Sequence, residues 1–271
     1  MTLWEAVFFG LVQGLSEFIP VSSTAHVVIL GRLLELETPG LTFEIFLHLA
    51  SLLAVVIYFQ RDLLRLIRGN LRFIFAHQTH QPEDRTAFYF SIYLLVATLI
   101  TGVLGILLSD ALGDGIKAMP IVAGGLLLTA VLLVLVERAQ RIGQRELSEL
   151  KWTDAAVIGL AQTVAVLPGV SRSGSTLIAG LYLKMSRATA VRFSFLLAIP
   201  VLLGSSVLAL KDIQAGDLAA VGGSSLALSF SVSFIASMIS IIWLIRLLEQ
   251  QRLYWFSCYL VLLAGLALYL G

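Results

Sequence analysis

The sequence predicts an all-α, polytopic membrane protein made of two inverted-topology repeats, each a re-entrant helical hairpin followed by three transmembrane helices. Three observations carry this. First, 58% of the residues are hydrophobic and 13% charged, mean hydropathy is +0.94, and apolar runs near bilayer-spanning length recur. Such runs are too continuous for the alternating pattern of barrel strands, and only helices and closed barrels satisfy every backbone group within lipid. Second, residues 3–59 and 152–208 align without a gap at a constant offset, which carries Gln13 onto Gln162. Third, the basic residues fall on one side once each repeat is laid out as a hairpin plus three spans.

Taken in order, residues 3–34 are apolar but interrupted at Ile19-Pro20, where proline removes a helix donor and constrains the residue before it. This stretch reads as helix, irregular tip and short helix back. Spans follow at about 42–60, 86–108 and 117–137, completing repeat 1 (about 3–137). A linker at 138–151 leads to the second hairpin, 152–184, broken at Pro168-Gly169, and to spans at about 188–210, 222–247 and 252–270, completing repeat 2 (about 152–270). Gly10-Leu11 matches Gly159-Leu160, Val21-Ser22 matches Val170-Ser171, and Phe46-Leu47 matches Phe195-Leu196. The chain is one membrane domain, 1–271.

Charge tests the layout. Arg61, Arg65, Arg68, Arg72 and Arg85 share one loop. Arg138, Arg141, Arg145 and Lys151 share the linker, Lys184, Arg187 and Arg192 surround a third turn, and Arg246 and Arg252 lie in the last. With two hairpins and six crossings all of these lie together, opposite Arg32, Lys117 and Lys211. The crowded side is then cytoplasmic and both termini lie outside. Reading each hairpin as a single kinked span would put the first loop opposite the linker. Three spans per repeat also invert the second repeat, which places a site where the repeats meet near the midplane.

A net charge of +1 gives no sign of a nucleic-acid partner. The first twenty residues lack a basic n-region and carry Glu5 and Glu17, so no cleaved signal peptide is expected. The lone cysteine, Cys258, excludes an intramolecular disulfide and reads as packing.

The polar residues in these apolar surroundings need a reason to be there. Gln13 and Glu17 are four apart and share a helix face, where a carboxylate and an amide oxygen suit a hard divalent cation; equally, Glu17 could only cap or pair within the tip. After Pro20 come Ser22, Ser23 and Thr24, hydroxyl residues favoured at a helix start, where free N–H groups attract phosphate. Ser23 and His26 are three apart, the relation needed if an imidazole is to activate a hydroxyl or water. The plain alternatives are close helix packing for the serines and a satisfied interfacial role for His26. The second tip, PGVSRSGST from Pro168 to Thr176, offers Gly169 and Gly174 for tight turns and Ser171, Ser173, Ser175 and Thr176 as hydroxyls. Its Arg172, the one basic residue at membrane depth, suits bidentate phosphate binding or an ion pair with Glu17 across the repeats. The two readings can coexist. His48, inside the first span, reads as a packing or interhelical hydrogen-bonding residue, and His77 and His80 as solvated. The arginines at 61, 65, 68 and 72 fit an amphipathic segment on an anionic leaflet.

Gln13 to Glu17 as Q-x-x-x-E, PVSSTAH from Pro20, PGVSRSGST from Pro168 and FSFLLAIP from Phe193 together resemble the undecaprenyl-diphosphate phosphatase family of the bacitracin-resistance type. The resemblance runs nearly end to end. It implies removal of the terminal phosphate of undecaprenyl diphosphate, recycling the lipid carrier of cell-wall synthesis, with a divalent cation, Mg²⁺ or Ca²⁺. It also implies a bacterial inner-membrane site open to the periplasm. Carried over by position, the acidic motif falls on Gln13 and Glu17, both expected at the metal. Ser23, His26 and Arg172 join Glu17 as catalytic residues, and Ser22, Thr24, Gly169, Ser171, Ser173, Gly174 and Thr176 bind phosphate. Gln13 stands where many relatives have Glu, and Ala25 where Gly is frequent. The partners expected are the polyprenyl diphosphate and membrane lipids, with a homodimer allowed. A flippase or anion transporter with the same midplane site is the alternative, since inverted repeats with broken helices are also a transporter architecture.

Overall fold

The residue before a proline is extended at each hairpin tip, directly after the helix in the first hairpin and after a short 3-10 turn in the second, and the rest of the chain packs around these two breaks. A computed structural model describes residues 1–34, 40–75, 81–113, 118–138, 143–209, 221–249 and 253–271. In it α1 (Leu3–Phe18) starts at Thr2, whose hydroxyl accepts from the Glu5 N–H while Glu5 accepts from the Thr2 N–H. It stops because Ile19, preceding Pro20, is extended. The chain turns at Ser22 and returns as α2 (Ser23–Leu33). The second hairpin repeats this with α7 (Trp152–Thr163), a 3-10 turn over Val164–Val166, extended Leu167 before Pro168, and α8 (Arg172–Tyr182). At 1.5 Å per residue α1 rises about 24 Å and α2, α7 and α8 less than about 20 Å, all short of the roughly 30 Å hydrocarbon core.

Between the hairpins lie α3 (Gly40–Tyr58), α4 (Gln60–Phe75), α5 (Pro82–Leu112) and α6 (Met119–Arg138); after the second come α9 (Arg187–Ala209), α10 (Gly223–Glu249) and α11 (Tyr254–Leu270). Of the six predicted spans, α5, α6, α9 and α10 are long and apolar enough to cross a membrane alone. The first, α3, bends by 71° into α4, and the last, α11, is an apolar helix of 17 residues. Among the described residues there is no strand, only an isolated bridge between Arg145 and Met185. Lys117, Arg141, Lys211, Arg252, His77 and His80 lie outside the described residues.

Helix α4 shows the amphipathic character its arginines predict. Leu64, Ile67, Leu71 and Phe75 are exposed, and its inner face closes on α5 through Gly69, where a Cβ would come within 2.6 Å of the Ala87 Cβ. Such a helix suits the membrane interface.

Small residues set the remaining seams. Gly10 and Gly14 bring α1 against the α10 backbone at Ser229 and Ser233, where a Cβ on Gly14 would lie 2.4 Å from the Ser233 carbonyl. Gly159 does the same for α7 against α5 at Ala97, and the Thr101 hydroxyl donates to the Gly159 carbonyl at 3.0 Å. The pairing is thus exchanged: α1 lies along α10 and α7 along α5, while α3 meets α9 and α6 meets α11. Beneath the tips the core is aromatic, with Phe18 stacked on Phe195 at 5.3 Å and Phe59 beside it. The 138–151 linker is tied to the second hairpin by Arg145, which donates to both Asp154 carboxylate oxygens (3.0 and 2.6 Å) and to the Leu183 carbonyl. The hydrogen bonds to Asp154 hold the Arg145 guanidinium above its already high pKa, so this clamp stays charged.

Candidate active site

The two tips touch. Ser173 donates to the Ile19 carbonyl at 3.3 Å, and a Cβ on Gly174 would lie 3.3 Å from the Pro20 Cβ. This contact brings together side chains that are more than 150 residues apart in sequence.

Glu17, in the last turn of α1, is the hub. Its side chain is 3% exposed. One carboxylate oxygen, Oε2, accepts from Gln13 Nε2 and from the Ser23 hydroxyl, both at 2.7 Å, and the other, Oε1, accepts from Arg172 Nη2 at 2.6 Å. Arg172 is 16% exposed on its side chain. Burying this ion pair carries a desolvation cost that only close geometry and extra donors offset, and the carboxylate has both. A buried ion pair among apolar helices, joined to a hydroxyl, is an arrangement for handling charge.

A fourth group completes the shell. His48 on α3 places Nε2 3.7 Å from Glu17 Oε2. The sequence gives His48 only as a packing or interhelical residue, and the structure puts it at the site. The available signal was a histidine inside an apolar span.

Ser23 and His26 do not face each other as their spacing suggests. Ser22, the residue before α2, has φ +67° and offers no side-chain cap, and this turn swings Ser23, first in the helix, onto Glu17. His26 points elsewhere: Nδ1 donates to the Ser22 carbonyl at 2.7 Å, so Nε2 accepts from the Tyr259 hydroxyl at 2.6 Å, with the two rings stacked. The first tip therefore has a serine–carboxylate contact, and its histidine is engaged in holding the turn. Tyr259 on α11 had no signature in the sequence.

The second tip uses most of its hydroxyls on itself. The Ser171 hydroxyl caps α8 by accepting from the Gly174 N–H at 3.0 Å and lies 3.2 Å from the Ser173 hydroxyl. The Ser175 hydroxyl donates to the Ser171 carbonyl, and Thr176 to the Arg172 carbonyl while also meeting Ser194. Gly169, at φ +94°, packs on the α6 backbone, where a Cβ would lie 2.1 Å from the Val122 carbonyl. Thr129 of α6 fixes this contact by accepting from the Ser171 N–H at 3.1 Å. Ser171, Gly169, Gly174 and Thr176, expected at the phosphate, are thus seen building the loop that presents Arg172. The two helix starts differ in consequence: α8 is capped, whereas α2, beside exposed Thr24, has no side-chain cap and keeps first-turn N–H groups for an anion.

An apolar cavity of about 610 Å³ adjoins the first tip, lined by Leu15, Ile19, His26, Trp243 and Tyr259 among others. For a cation, the oxygen donors at hand are Glu17, the Gln13 amide oxygen and Ser23, and among the described residues no three His, Cys, Asp or Glu gather around one point. This donor set fits an ion that keeps water and takes phosphate oxygens, as Mg²⁺ does, rather than an all-protein cage.

Comparison with known proteins gives a consistent picture. The family model described as Bacitracin resistance protein BacA matches residues 6–266. Undecaprenyl-diphosphatase 2 of Halalkalibacterium halodurans is 47% identical over 265 residues, covering 97% of this chain and 94% of that protein. Undecaprenyl-diphosphatase 1 of Shouchella clausii is 46% identical over 266 residues (97% and 95%), and undecaprenyl-diphosphatase of Oceanobacillus iheyensis 38% over 270 residues (98% and 96%).

Proposed function

The chain belongs to the bacitracin resistance protein BacA family, and from that premise we propose that the two touching tips carry out the family's reaction. The protein is a multi-pass membrane hydrolase, an undecaprenyl-diphosphate phosphatase, that releases inorganic phosphate and returns undecaprenyl phosphate. The observation that carries the site assignment is one carboxylate, Glu17, bonded at once to a hydroxyl from its own hairpin and a guanidinium from the other.

The diphosphate enters between Arg172 and the uncapped start of α2. Arg172 turns its planar donors from Glu17 to the terminal phosphoryl oxygens, whose charge it neutralises as the P–O bond stretches. The Ser23 oxygen attacks the terminal phosphorus, its proton passing to Glu17, which it already contacts. The bridging P–O bond breaks and undecaprenyl phosphate leaves as an anion, needing no proton from the protein. Water then attacks the phosphoserine; as the Ser23 Oγ–P bond breaks, Glu17 returns its proton to the Ser23 oxygen, and the water oxygen and its protons leave as inorganic phosphate. A divalent cation held by Glu17 and the Gln13 amide oxygen would supply further neutralisation of the diphosphate. The apolar cavity beside the tip takes the first isoprene units of the tail. By the distribution of basic residues both termini lie on the periplasmic side of the inner membrane, and by the family resemblance the site opens to that side. A transporter with the same site is the less favoured reading, because a carrier has no need of a hydroxyl aligned on the ion pair.

Purified protein given C55 diphosphate is expected to release phosphate, to stop in EDTA and to recover with Mg²⁺; no release with Mg²⁺ present would refute the assignment. His26 acts as a positioning residue that holds the Ser22 carbonyl, so His26→Ala is expected to lower kcat by about tenfold, against the 10²–10⁴-fold of a lost general base. His26→Asn, which can still donate to that carbonyl but cannot take a proton, should restore most of the rate. Failure of that rescue would return His26 to proton transfer.

A further inference from the structure

A second groove, of about 780 Å³, lies between α6, α7 and α8. It corresponds to the cavity at the first tip: Val12, Leu15 and His26 line one, and Ala161, Val164 and Ser175, the same positions in the internal alignment, line the other. The chemistry has not been carried across. The position matching Glu17 is Val166, and the Ser175 hydroxyl is spent on the Ser171 carbonyl. The second groove has no serine–carboxylate pair and is no second reaction centre.

What it has instead is a charged rim that the first cavity lacks. Lys184, Arg187 and Glu137 all line it. Among the described residues Glu137 Oε2 is buried without a hydrogen-bond partner, a costly state for a carboxylate oxygen unless something bearing donors covers it. Lys184 is exposed and held with φ +64°, a strained setting for a residue with a side chain. The strain is maintained by its surroundings. The Arg145 N–H donates to the Lys184 carbonyl at 3.1 Å, the Ser186 N–H donates to the Arg145 carbonyl at 2.9 Å, and a Cβ on Gly143 would lie 1.8 Å from the Lys184 carbonyl oxygen. The Arg145–Asp154 clamp fixes that bridge to α7. The rim is therefore rigid, with cationic and anionic groups both facing an apolar trough.

We infer that this groove binds a phospholipid whose head group carries a primary ammonium, of the phosphatidylethanolamine class. Its acyl chain lies along Leu128, Leu132 and Val157, its phosphate meets Lys184, and its ammonium donates to Glu137. A choline head has no N–H to give Glu137, and a purely anionic head would bring a second negative charge against it.

The test is native mass spectrometry of delipidated, full-length protein offered dioleoyl phosphatidylethanolamine, phosphatidylcholine or phosphatidylglycerol. The wild type is expected to retain one ethanolamine lipid, about tenfold more firmly than either of the others. Glu137→Gln and Lys184→Asn, the latter suited to positive φ, should each lower that retention about tenfold while phosphate release in detergent and melting temperature stay unchanged. Equal retention of the choline lipid, preference for the glycerol lipid, or undiminished ethanolamine binding in both variants would overturn the inference. Lipid retention and melting temperature are read independently of the phosphatase assignment.

Discussion

Alanine in place of Arg172 is expected to slow phosphate release by about a thousandfold, the scale seen when a phosphoryl-neutralising arginine is withdrawn. The guanidinium is aimed by a capped helix start into the carboxylate that also holds Ser23. Arg172→Lys should recover little of the loss, because a point charge cannot reproduce the planar two-point grip. Stability separates the two ends of the pair. In Arg172→Ala the Glu17 carboxylate keeps Gln13, Ser23 and His48 around it, so the melting temperature should fall only modestly. In Glu17→Ala a mostly buried guanidinium loses its one carboxylate, at a cost of roughly 3–5 kcal/mol, so both turnover and melting temperature should drop. Phosphate release and thermal unfolding of both variants check this, and near-normal turnover in Arg172→Ala would remove the site from the tips.

A large effect on folding, with a built-in control, is expected from one of two adjacent glycines. A Cβ on Gly125 would lie 2.4 Å from the Pro168 carbonyl oxygen and 2.8 Å from the Gly169 carbonyl carbon, all of it backbone that cannot step aside. A Cβ on Gly124 meets nothing within 4 Å. Gly124→Ala should therefore raise stability by up to about 1 kcal/mol through helix propensity. Gly125→Ala should cost about 1–3 kcal/mol by overpacking, and it should also displace the second tip and with it Arg172. Melting temperature and phosphate release measured on this pair read out the tip's seat on α6. Equal behaviour of the two variants would mean that the seat does not matter.

The two breaks were legible in the sequence because proline acts locally: Ile19 and Leu167 are extended where Pro20 and Pro168 require it. The meeting of Glu17 with Arg172 was legible too, since two unexplained charges in apolar surroundings have few partners other than each other. The orientation of α2 was not. A three-residue spacing puts Ser23 and His26 on one side of an ideal helix, but Ser22 adopts a left-handed turn that no local pattern announces, and the two side chains diverge. That most hydroxyls of the second tip bond within their own loop was not legible either, because composition does not distinguish a hydroxyl offered outward from one capping its own helix. His48, Tyr259 and Thr129 escaped for a different reason. Each reaches its partner through tertiary packing across 31 to 233 positions, and no spacing rule covers that distance.

The exchanged pairing of α1 with α10 and α7 with α5 also bears on how the protein is made. The first hairpin emerges from the ribosome more than two hundred residues before the serine face that seats it, so its glycine seam and its glutamate must wait in the bilayer for most of synthesis without their final neighbours. Neither half can then mature alone, and the hydrolytic centre comes into being only in the last steps of assembly, when the closing helices arrive. An incomplete chain in the membrane would carry no activity toward the lipid carrier.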